Sequence, residues 1–149
     1  MMEYQYINGS YYVRADKGES LTNVIKEICR KENIRSGYFQ GIGACDHATI
    51  STYIPEKNDF IDHEINGMIE MVSLMGNVSV DCNGEPFLHT HATFSYLNQR
   101  NEIAVIAGHM KDAHISYTGE IILQGSSEQI KRKFDDYAGI EVWHLNVKK

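Results

Sequence analysis

The sequence predicts an α+β protein, a mostly antiparallel β-sheet carrying two α-helices. Two observations point there. Asn-Gly pairs stand at Asn8-Gly9, Asn66-Gly67 and Asn83-Gly84, each flanked by residues suited to strands. Asn and Gly tolerate the positive φ angles of a type I′ turn, whose twist matches that of paired antiparallel strands. Helical periodicity appears in only two places, too few for a chain of alternating strand–helix units.

Taken in order, Tyr4–Ile7 and Tyr11–Arg14 form the first hairpin. Leu21, Val24, Ile25, Ile28 and Cys29 then follow the spacing of an apolar helical stripe. Asp16 and Glu19 have the spacing of a capping box, and Ser20 is a rival cap. Tyr38–Thr52 is extended, with a break near Gly41–Gly43. A strand near Phe60–Ile65 turns at Asn66-Gly67 and returns as Met68–Gly76, and Val78–Cys82 turns into Phe87–Tyr96. Glu102–His109 and His114–Leu123 are again extended. The second helix spans about Ser127–Tyr137, with Ile130 and Phe134 one turn apart and Ser126 with Gln129 as a capping box. A strand over Glu141–Val147 closes the chain.

A chain of 149 residues makes one domain, residues 1–149, and its 42% hydrophobic and 23% charged content lies in the range of folded proteins. No apolar run is long enough to span a membrane, and the N-terminus lacks the basic and apolar segments of a secretory signal. The expected location is the cytoplasm. Cys29, Cys45 and Cys82 are odd in number and widely spaced, which suits free thiols in a reducing compartment and argues against a disulfide framework or thiolate zinc site. Net charge is −6, and the basic residues are dispersed. Lys131-Arg132-Lys133 is followed at once by Asp135-Asp136 and reads as a solvated helix face; Lys148-Lys149 ends the chain. This balance counts against unaided DNA binding, which relies on neutralising phosphates. Oligomerisation can still assemble a local basic patch.

Five of the seven histidines lie between His63 and His114. His89 and His91 are two apart on an expected strand, so both imidazoles project from one face, while Leu88, Thr90 and Ala92 face the other. If Phe87–Tyr96 and Glu102–His109 form a hairpin around Leu97–Asn101 with Tyr96 opposite Glu102, then His89 faces His109. Opposed Cβ atoms lie about 4.5–5.5 Å apart, so three rings converge. Three imidazoles with a vacant fourth position are the usual arrangement of a catalytic zinc site, although nickel, copper and iron also accept imidazole. His47, His63, His114 and His144 read as surface or hydrogen-bonded residues, with His114 a reserve ligand at the start of the next strand. Glu70 and Glu120 lie on strands and are the candidates to orient a ligand or carry a proton. Gly41-Ile42-Gly43 lacks the third glycine of a nucleotide fingerprint and reads as a bulge or close backbone contact.

Several ordered segments carry a resemblance: Gly41-Ile42-Gly43, Glu70 to Asn77, His89-Thr90-His91, Ala107-Gly108-His109 and Thr118-Gly119-Glu120-Ile121. From about Tyr11 to Leu123 the chain resembles prokaryotic members of the plants-and-prokaryotes conserved (PPC) family, known in plants as the companion domain of AT-hooks. The resemblance implies a compact α+β homotrimer, with a fold distantly similar to the metal-dependent enzyme acetolactate decarboxylase. Carried over, the metal ligands are His89, His91 and His109, the trio also reached from strand geometry. Departures limit what transfers. Where plant members have Gly-Arg-Phe-Glu-Ile-Leu this chain has Gly67-Met68-Ile69-Glu70-Met71-Val72, without the Arg, and Ala107-Gly108-His109 replaces Gly-Gly-His. The sequence contains no Arg-Gly-Arg-Pro hook to enter an A·T-rich minor groove.

Two functions follow as expectations. One is a metal-stabilised binding or regulatory module that recruits a protein partner or senses a small ligand, with association near DNA as an option. The other is a metalloenzyme, decarboxylase-like or hydrolytic, acting on a small carbonyl compound. The sequence offers no cationic substrate anchor beside the histidines: Arg100, the nearest, falls in the loop at the far end of the expected hairpin.

Overall fold

A computed structural model describes residues 1–145 of the chain. Its strands form one eight-stranded sheet, almost wholly antiparallel. The elements are β1 (Glu3–Ile7), β2 (Ser10–Asp16), α1 (Leu21–Lys31), β3 (Ser36–Ile54), β4 (Asp59–Val80), β5 (Pro86–Leu97), β6 (Ile103–Ser126), β7 (Lys131–Asp135) and β8 (Ile140–His144). A short 3₁₀ turn, Pro55–Lys57, joins β3 to β4. β3 pairs with both β4 and β6, and β5 also pairs with both, so these four strands close on one another. Phe39, Ile50, Ile69, Leu74, Phe94, Ile115 and Leu123 fill the interior. α1 lies against β5 and β6 and contributes Leu21, Val24, Ile25, Ile28 and Cys29, the stripe expected from the sequence. Among the described residues no helix is long and apolar enough to cross a membrane.

The first hairpin forms as expected, with Asn8 at φ +47° and Gly9 at φ +89°, both positive as a type I′ turn requires. Ser20 wins the competition for the N-cap, its Oγ accepting from the Asn23 amide at 3.2 Å. Glu19 instead reaches back to the Asp16 and Met2 amides. Ser20→Ala should therefore cost about 1 kcal/mol of stability, read as a lower midpoint in urea with an unchanged slope.

Three expectations are corrected. Asn66-Gly67 is not a hairpin turn but an irregularity inside the continuous β4, where the pairing with β3 shifts between Cys45 and His47. The turn lies earlier, at Pro55–Asn58, where Asn58 takes φ +48° and Tyr53 stacks on Phe60 across the hairpin at 5.3 Å. Second, the helix expected over Ser127–Tyr137 is absent; Lys131–Asp135 is β7, paired with β8 and touching β4 at Val80. Two features favour the hairpin. The Asp135 carboxylate accepts from the Tyr137 and Ala138 amides, and Gly139 completes the turn at φ +70°. Phe134 is 61% exposed, so the supposed stripe has no core to cover. The expected final strand is shorter, and residues 146–149, including its end and Lys148-Lys149, lie outside the described residues. The third correction is one of register and belongs with the histidines.

Gly41-Ile42-Gly43 behaves as a close backbone contact. A Cβ on Gly41 would meet the Glu120 carbonyl at 2.6 Å, and one on Gly43 would meet the Thr118 carbonyl at 2.5 Å.

Candidate metal centre

The inner face of β5 is set by Thr90, Ala92 and Phe94, all buried, so period-two alternation turns His89 and His91 outward. The β5–β6 loop is Asn98–Glu102, one residue later than expected. Asn98 organises it: its side chain accepts from the Arg100 and Glu102 amides, and its own amide donates to the Glu102 carbonyl. Leu97 thus faces Ile103, and the directly opposed histidines are His91 and His109, not His89 and His109. The shift moves partners by two residues, an even number, so His109 keeps its face and the trio survives.

The ring centroids of His89 and His91 are 5.2 Å apart, those of His89 and His109 5.4 Å, and those of His91 and His109 5.5 Å. Each residue offers a ring nitrogen, and these ligand atoms all lie within 4.8 Å of one another. The donor set suits a borderline-soft divalent ion such as zinc, since imidazole is its common ligand and three protein ligands leave a position open. Burial lowers the proton affinity of His89, aided by His91 and by the Arg132 guanidinium. Burial does the same for His109, aided by His89, His91 and Lys111. Both rings therefore favour the neutral form that ligates a metal.

The backbone beside the site is specialised. Gly108 takes φ +153°, and a Cβ there would press on Ile50 Cγ2 at 3.2 Å. Across β3 from His109, Asp62 accepts from Lys111 Nζ at 2.6 Å and from Ser51 Oγ at 2.7 Å, which holds its carboxyl below the usual carboxylate range. Ser51 is the β3 partner of His109.

The other candidates are elsewhere. Glu70 pairs with Ala44 and Ser95, and Glu120 with Arg14 and Ile42; neither enters the histidine group, which contains no carboxylate among the described residues. His114 opposes His47 across β3 and β6, with rings 5.5 Å apart, and its Nε2 lies 3.6 Å from Asp112. His47 bonds Asn66, His63 is exposed on β4 and His144 pairs with Lys131 on β7. All three cysteines are free; burial pushes the Cys29 and Cys45 thiols up to about 12, so they are inert, while Cys82 is exposed.

Two features escaped the sequence reading. A groove of about 1060 Å³ crosses the outer sheet face, lined by Tyr12, Gln40, Ile42, Glu120 and Met75, the last being the β4 partner of His91. Arg132, assigned to a solvated helix, instead lies over the Phe87 ring at 4.3 Å, beside the His89 end of the trio. No motif marks Arg132; only the correct assignment of β7 as a strand would have brought it there.

Comparison with known proteins then adds the following. A family model described as the Plants and Prokaryotes Conserved (PCC) domain matches residues 2–126. A Pyrococcus horikoshii plant- and prokaryote-conserved (PPC) protein is 30% identical, with 99% of this chain and 97% of that one covered and a TM-score of 0.78. A metal-containing protein from Archaeoglobus fulgidus is 28% identical over 97% of this chain and 99% of that one, with a TM-score of 0.81. A candidate DNA-binding protein from Bacteroides thetaiotaomicron is 26% identical over 97% of each chain, with a TM-score of 0.87. More distantly, a Staphylococcus aureus protein similar to alpha-acetolactate decarboxylase shares the fold at a TM-score of 0.54 and 13% identity, over 84% of this chain and 56% of that one. No curated protein matches the chain.

Proposed function

This chain belongs to the Plants and Prokaryotes Conserved domain family, and we propose that it is a homotrimeric metal-binding protein acting as a ligand-binding or regulatory module. The observation that carries this reading is the convergence of His89, His91 and His109 on an outward face, with ligand atoms within 4.8 Å of one another. Zinc is the metal proposed, because three neutral imidazoles satisfy it and leave one position for an exogenous ligand. The metal-containing relative from Archaeoglobus fulgidus supports the same reading. Trimer formation draws support from the outer sheet face, where Tyr12, Ile42 and Met75 are 48%, 58% and 64% exposed along one groove. A second copy covering that strip would remove apolar surface from water. The Bacteroides relative raises the question of DNA, but a net charge of −6 makes direct, unaided binding weak in this reading.

A metal-dependent enzyme is the second reading, favoured by the open coordination position. A metal held there would supply Lewis acidity toward a carbonyl oxygen. The chain's own residues would hold and orient it: three imidazoles as ligands, with Asp62 and Ser51 ordering the strand beside His109.

The test is elemental analysis and light scattering on protein purified without an affinity tag. About one zinc or other transition metal per chain and a mass of three chains are expected. Occupancy should hold through neutral pH, because burial makes His89 and His109 bind protons less readily than an ordinary histidine. It should then fall as acid protonates the ligands. No metal uptake on adding zinc at neutral pH would leave the histidines as a structural trio.

A further inference from the structure

We infer that Arg132 is the anchor for a carboxylate on a small organic acid whose second oxygen function reaches the histidine centre; the inference rests on the metal-binding reading above. Three observations place the residue. On β4 and β5, Asn77 pairs with His89 and Ser79 pairs with Phe87, so the two pairs are consecutive on the outer face. Same-face positions are about 6.6 Å apart along a strand. Arg132 sits on the second pair, its Nη1 donating to Ser79 Oγ at 3.1 Å and its guanidinium 4.3 Å from the Phe87 ring centre. The positive charge is therefore one step along the ladder from His89.

That charge is opposed by the Glu141 carboxylate only from beyond ion-pair distance. Lys111, the cation at the other flank, is neutralised by Asp62 at 2.6 Å. Among the described residues no carboxylate makes an ion pair with Arg132. Of the five N–H donors of a guanidinium, the protein uses Nη1 toward Ser79 and Nη2 toward the Glu141 carbonyl, while Nε is buried without a partner. The Nη N–H groups that the protein leaves unused are the donors an anionic ligand would take up. The ligand class follows: an anion, because the cation is unpaired, and a carboxylate, because a planar guanidinium matches it. A second oxygen one step away suits a short dicarboxylate or oxo-acid.

The test uses malonate as probe and acetate as its control, titrated by calorimetry and by the visible spectrum of cobalt-loaded protein. Malonate should bind at least about tenfold tighter than acetate, and Arg132→Gln should erase that advantage while leaving cobalt affinity unchanged. Arg132→Lys should recover part of it. Ser79→Ala removes the Arg132–Ser79 hydrogen bond but keeps the guanidinium and the backbone pairing of β7 with Val80, and should retain malonate binding. Equal affinity for the two acids, undiminished malonate binding in Arg132→Gln, or loss in Ser79→Ala equal to that in Arg132→Gln would each overturn the assignment with the metal reading intact. Failure of the wild-type protein to take up cobalt would sink the metal reading and this inference together.

Discussion

His91→Ala should abolish stoichiometric metal binding and leave a folded, oligomeric protein. The two halves of that expectation have separate causes. His91 is the exposed member of the trio and lies between the buried Thr90 and Ala92, so truncating its ring opens no cavity in the core. Its loss leaves two imidazoles, and an open site with two protein ligands falls short of the three that catalytic zinc sites use. Elemental analysis should drop from about one metal per chain to none, while circular dichroism and the light-scattering mass stay as in the parent. A variant that retains its full metal content would refute the site. His114→Ala is the informative control: its ring faces His47 rather than the trio, so metal content should not change.

The grouping of His89, His91 and His109 was legible in the sequence because it depends on parity rather than on an accurate register. His89 and His91 share a face at any register, and His109 joins them whenever the hairpin partners shift by an even number. The Asn98 turn produced such a shift, which is why an incorrect pairing still grouped the same three histidines. The second helix failed for a related reason. Ile130 and Phe134 are four apart, a spacing that satisfies a helix and is also even, so it fits one face of a strand equally well. Nothing local separates the two; the Asx turn at Asp135 and the contact of β7 with Val80 do. Arg132 was lost with that helix. Asn66-Gly67 has the composition of a turn, yet its segment is held in β4 by pairing with β3 before and after it, at Asn66 with His47 and at Ile69 with Cys45, so tertiary context overrode the local signal.

Phe39→Ala should be the most damaging single core truncation beneath this site, at about 3–5 kcal/mol. The ring is 1% exposed and comes from β3, opposite Gly76 on β4 and Leu123 on β6. Gly76 in turn faces Thr90, the residue between His89 and His91, so the ring packs under the strands that carry two of the ligands. Thermal unfolding should drop by roughly 2–4 °C per kcal/mol for a chain of this size. The φ of Gly76 is not among the positive ones, so glycine is required here for space: a Cβ would meet Phe39 Cζ at 2.2 Å. Gly76→Ala alone should therefore destabilise by about 1–3 kcal/mol, through overpacking against a ring that has nowhere to go. Placed in the Phe39→Ala background, the same methyl group enters the space the ring has left and should cost little. The double-mutant cycle should show about 1–3 kcal/mol of favourable coupling. Strict additivity would mean that Gly76 serves something other than the Phe39 ring, and that the two strands are held in place beneath the histidines by different contacts.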